Sequence, residues 1–147
     1  MKEFFKELFE YNHLVNQEFI RCFAGKEAGI LEKSVRLFNH LINAQQIWNC
    51  RIEGKKNSTG VWDIHPLTML EAMNQANLDE SLRILKSIDL DAMIAYTNIA
   101  GNAYQSSVQN ILFHVLNHSS YHRGQVASGL VEAGIEAPVS DYIAFKR

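Results

Sequence analysis

Only two prolines, Pro66 and Pro138, interrupt the 147 residues of this chain. Proline inside a helix removes a backbone hydrogen bond and costs about 3 kcal/mol, so long helices are free to form wherever the apolar pattern asks for them. Phe5, Leu8, Asn12, Val15, Phe19 and Cys22 recur at helical spacing and predict a first helix over residues 2–24, broken by Gly25 and Gly29. A second helix follows to about Glu53, where Gly54 is placed to end it. Residues 55–66 (KKNSTGVWDIHP) have loop composition, with a buried-type tryptophan, Trp62, among them. Leu70, Met73, Asn77, Ile84 and Leu85 predict a third helix over 67–87. Over 92–105 the period changes: Met93, Ala95 and Thr97 alternate with Ile94, Tyr96 and Asn98 ahead of Gly101-Asn102, which predicts a short hairpin. Ser106 and Gln109 then read as a capping box opening a fourth helix, closed by Gly134. The expected fold is all-α, a four-helix bundle with a short β-hairpin before the last helix, in one domain over residues 1–147.

Charge and hydropathy narrow the function classes. A formal net charge of −2 gives no electrostatic reason to expect nucleic acid or an acidic membrane surface as a partner. No run approaches the roughly 18 apolar residues that a membrane span needs. The opening MKEFFKELFEYNHL interleaves acids with aromatics, unlike a signal peptide, so a cytoplasmic location is expected. Cys22 and Cys50 are too few for a disulfide scaffold and read as small buried or half-buried hydrophobes.

The chemistry concentrates near the C-terminus, in Asn117-His118-Ser119-Ser120-Tyr121-His122-Arg123-Gly124-Gln125. His118 and His122 are four residues apart, so on a helix they stand one turn apart on one face. Two neutral imidazoles at that spacing can close on one ion, with metal–nitrogen bonds of about 2.0–2.1 Å for zinc.

This run, with Gly134 and Asp141-Tyr142-Ile143 after it, resembles the closing segment of the DinB/YfiT family of bacterial metal-binding four-helix proteins. Upstream, Ser34, Leu37, His40 and Trp48 in SVRLFNHLINAQQIW are similar to that family's second helix, where a lone histidine supplies a third ligand. Tyr96-Thr97-Asn98, Gly101 and His114 are similar to its approach to the last helix, and Tyr11-Asn12 and Asn16 are a fainter match to its first. The likeness runs from about residue 8 to residue 143 and is thin over 54–90. It implies a metal set of His40, His118 and His122.

A helical wheel at about 100° per residue gives an independent check. Val108, Ile111, Leu112, Val115, Val126 and Leu130 define the buried stripe of the fourth helix; His122 lies within it or at its edge and His118 at its margin, with His114 further out. On the second helix Leu37, Leu41, Ala44 and Trp48 mark the stripe, and His40 again takes the margin, where a cleft between helices opens. Trp48 is expected in the core, or walling that cleft. His13 and His65 are expected at the surface and His114, at most, beside the site. Arg123 is expected in a structural ion pair, Gly124 at a close helix approach, Gln125 near His118 orienting a ligand or water, and Tyr121 at the cavity mouth or packed.

Three histidines leave a coordination position open, as in catalytic rather than structural zinc sites. One divalent ion is expected, with zinc, nickel, iron and manganese all chemically admissible. The resemblance implies a metal-dependent enzyme acting on a small molecule, by S-transfer from a low-molecular-weight thiol co-substrate to an electrophile, and a homodimer. Hydrolysis by metal-activated water needs the same ligands and stands as the alternative, beside a non-catalytic metal-binding stress-response protein and a plain helical interaction module. No residue presents itself as a general base, so catalytic residues beyond the ligands stay unassigned.

Overall fold

In the computed structural model of the chain, residues 1–26 and 32–147 are described. The expected break at Gly29 lies outside them. The apolar periodicities become four long helices, α1 (Lys2–Phe23), α2 (Glu32–Glu53), α3 (Leu67–Ser87) and α4 (Val108–Glu132). The hairpin is present as β1 (Met93–Thr97) and β2 (Ala103–Ser107), antiparallel, with Tyr96 opposite Tyr104 and Met93 opposite Ser107. One further turn of helix, α5 (Tyr142–Phe145), was not expected; it packs edge-on against Tyr11 through Tyr142 and Phe145. No described helix is long and apolar enough to cross a membrane.

The helix ends follow the glycine signals. Gly134 has φ +74°, its N–H bonds to the Val131 carbonyl, and the Ile135 N–H bonds to the Leu130 carbonyl, which together make a Schellman end. Gly54, at φ +66°, ends α2 in the same way, with bonds to Arg51 and, through Lys55, to Cys50. The start of α4 lies one residue later than the expected capping box. Ser107 is the N-cap and its hydroxyl accepts from the Asn110 N–H, while Ser106 stays in β2, its hydroxyl 3.2 Å from the Tyr96 hydroxyl.

Around the bundle, α1 packs chiefly on α3, α3 on α2, and α2 on α4; the α1–α4 seam is thinner. A close α2–α4 approach is set by Gly129, where a Cβ would collide with the Ser34 hydroxyl. The expected role falls to Gly129 and not to Gly124, which faces open space because it lies on the exposed side of α4.

Two apolar clusters fill the ends of the bundle. One gathers Phe19, Phe23, Phe38, Leu70 and Leu130, the other Phe9, Ile84, Val108 and Leu112. Between them runs a band of buried amides. Asn12 donates to Gln45, Gln45 to Ser81, and Ser81 to Asn49, all at 3.1–3.2 Å; Asn77 donates to the Ile42 carbonyl at 3.0 Å. Arg123, 2% exposed, closes the band from α4: its Nη1 donates to Asn12 and Asn16, its Nη2 to Ser120, and its charge rests over the Tyr11 ring. The expected ion pair is therefore absent among the described residues. Amide and hydroxyl oxygens receive the guanidinium in a carboxylate's place.

His13 and His65 also depart from expectation. His13 is buried, its ring nitrogen 3.0 Å from the Asn74 amide, because the polar band extends to its turn of α1. His65 is half-buried and bonded to Asn43 at 2.8 Å. Cys22 is half-buried and Cys50 buried, and both are free thiols.

Candidate metal centre

The centre is built where α2 and α4 run side by side. His40 comes from α2, His118 and His122 from successive turns of α4, and one ring nitrogen from each lies within 4.8 Å of the others. His40 is 8% exposed and the other two are half-buried, consistent with ligands at the margin of the apolar stripes. His114, one turn before His118, keeps its ring 5.5 Å from that of His118 and lies outside the converging group.

Residues 55–66 orient His40. Asn39, Asn43 and Gln46 of α2 dock this loop: Asn43 donates to the Asp63 carbonyl at 2.8 Å, Asn39 accepts from the His65 N–H at 2.8 Å, and Gln46 accepts from Thr59 at 3.2 Å. The docked loop lays Trp62 flat on the His40 ring, 4.0 Å between centroids, and sets the Val61 carbonyl 3.1 Å from His40 Nδ1. Trp62 is thus 47% exposed and stacked on a histidine, where its size alone predicts burial. The Arg36 guanidinium lies 5.2 Å from the same indole ring.

These contacts choose the tautomers. A carbonyl can only accept, so His40 Nδ1 carries its proton and Nε2 is left as a free lone pair facing the cluster. Gln125 Oε1, 2.7 Å from His122 Nδ1, does the same for His122. Gln125 serves His122, and not His118 as the wheel suggested, because the pair is three residues apart on α4. The ring nitrogens converge: His40 Nε2 and His118 Nε2 are 3.1 Å apart. Two nitrogens on a tetrahedral zinc stand about 3.3 Å apart, given bonds of about 2.0–2.1 Å. The donor set fits a divalent ion.

Electrostatics favour the neutral, ligating form. Burial, and then the neighbouring His122, His40 and His114, push His118 down to about 3. Burial also lowers His40, partly opposed by its bond to the Val61 carbonyl, and burial lowers His114. Metal ligands must be deprotonated to bind, and here the fold holds two of the three in that state.

A cavity of about 540 Å³ opens beside the cluster, walled by His40, Trp48, Val61, Tyr96 and His118 and roofed by the hairpin tip at Asn98–Ala100. Its size suits a small molecule. No acidic side chain lines it among the described residues. Trp48 walls it and is only half-buried, with the His114 ring 5.4 Å from its own. Tyr121, 64% exposed, stands edge-on to His122 on the outer side.

Comparison with known proteins bears on the whole chain: the model of the DinB family matches residues 1–147. No curated protein matches.

Proposed function

The chain belongs to the DinB family, and from that membership and its three converging imidazoles we propose a metal-dependent enzyme that transfers a low-molecular-weight thiol to a small electrophile. His40, His118 and His122 would hold one divalent ion. Bound there, the ion supplies a Lewis acid that lowers the pKa of a thiol or polarises an electrophile. The chain's own residues do the rest. Val61 and Gln125 keep the ring protons on the far side of two imidazoles, so their lone pairs face inward. Trp62 covers one face of His40, and the hairpin tip lines the cavity from the side of β1.

The observation that carries the reading is a three-nitrogen donor set beside a cavity that, among the described residues, no carboxylate lines. A carboxylate in that cavity would favour hydrolysis, by taking the proton of water, and none lines it among the described residues. A thiol is more acidic than water to begin with, so an ion held there would leave it ionised at neutral pH with its proton released to solvent, and thiol transfer asks less of the cavity walls.

The test is turnover of zinc- or nickel-loaded protein with a bacterial thiol such as bacillithiol and a fluorogenic haloalkyl electrophile. Thiol-dependent product that disappears on chelation and in His118→Ala/His122→Ala supports the proposal. Ester hydrolysis without thiol dependence would instead favour the water-activating reading.

We further propose a homodimer formed through the α1–α4 face. Met1, Phe4 and Phe113, each more than half exposed, border an apolar cleft of about 620 Å³ along that thinner seam.

A further inference from the structure

The cavity beside the three histidines holds one charge that no ion pair takes up. His40, Ala44, Ile47, Trp48 and Arg51 succeed one another along a single face of α2 and all line it. Arg51, half-buried, lies over the Trp48 ring at 4.4 Å and within 5.7 Å of the Tyr96 ring. Contact with aromatic rings leaves the N–H groups of a guanidinium able to meet a further acceptor. The neighbouring acid, Glu53, is engaged by Lys55 and Arg83 at 2.8 Å each, and Arg51 takes part in no ion pair among the described residues. The cavity thus offers a fixed, forked cation and no anion of its own.

We propose that Arg51 anchors a carboxylate of the substrate or co-substrate, so that the protein acts on elongated, carboxylate-bearing small molecules. This rests on the cavity being the substrate site of the proposed metal centre. Side chains on a helix lean towards its N-terminus, which brings Arg51 back over Trp48 and leaves about 12 Å along the axis between the guanidinium and the level of His40. A ligand whose reacting atom meets the ion while its carboxylate meets Arg51 spans that distance. Forked pairing of guanidinium with carboxylate gives both register and affinity.

Calorimetric titration of zinc-loaded and metal-free protein with ω-mercaptooctanoate, ω-mercaptooctanol, octanoate and octanol tests this. Loaded wild-type protein should bind ω-mercaptooctanoate about tenfold more tightly than ω-mercaptooctanol, the worth of one charged hydrogen-bonded pair. Arg51→Met should bind the two thiols alike, with zinc content and unfolding temperature unchanged, and Arg51→Lys should recover part of the preference. Equal wild-type affinities for the two thiols, or a preference that survives in Arg51→Met, would overturn the role of Arg51 while leaving the thiol reading intact. An Arg51-dependent preference for octanoate over octanol to which the thiol adds nothing would support Arg51 and defeat the thiol reading. Binding of none of the four would defeat both.

Discussion

His118 lies where burial and three other imidazoles act on one ring, and its protonation is coupled to folding in a direction that can be worked out. In the unfolded chain the ring takes up a proton near its ordinary value of 6.5, and in the fold only near about 3. Between those values the unfolded state binds more protons, so the metal-free fold loses stability as pH falls through 6.5 towards 3. Denaturant titrations of chelator-treated protein, from about pH 7.5 to about pH 4.5, should show that decline, and His118→Leu should make it shallower, leaving the share of His40 and His114. A pH-independent wild type would contradict the environment described for this ring. At this scale the sequence revealed the pairing of His118 with His122, because four-residue spacing is a property of one helix. It could not reveal the Val61 carbonyl on His40, which a separate loop supplies, and it placed Gln125 near the wrong histidine. Arg123 was misjudged for a related reason. Its partners, Asn12 and Asn16, lie more than a hundred residues away, and amide oxygens do not advertise themselves as counter-charges.

Among the elements, α2 and α4 carry the centre, and their spacing decides whether His40 can meet the α4 pair. Gly129 sets that spacing against Ser34. Gly129→Ala gains up to about 1 kcal/mol of helix propensity but drives its methyl group into the Ser34 hydroxyl, with overpacking typically costing about 1–3 kcal/mol. The single variant should therefore be less stable than wild type. Adding Ser34→Ala should remove the conflict and restore or exceed wild-type stability, a coupling that a double-mutant cycle measures. Additive effects would place the two residues out of contact. The four long helices and the hairpin were legible because their periods, 3.6 and 2, are written in apolar residues. The amide band was not, since Asn and Gln at inward positions look like interruptions of a stripe until their partners on other helices are known. The turn of α5 is too short to show a period at all.

For the whole molecule, the proposed homodimer through the exposed apolar α1–α4 face predicts self-association. Light scattering should give the mass of two chains, and Phe113→Glu, which places a charge beside Phe4 in the apolar cleft, should give the mass of one. A monomeric wild type at micromolar concentration would remove the homodimer from the account. The centre itself lies on the α2–α4 side, so metal binding should be unaffected by that substitution. The most direct test of the central claim is metal content, by plasma mass spectrometry, of untagged protein purified without a metal column, beside His118→Ala/His122→Ala. About one divalent ion per chain, lost in the double variant while its helical circular dichroism stays unchanged, is the expected result. Protein that carries no ion and takes none up on titration with zinc, nickel, iron or manganese would contradict it.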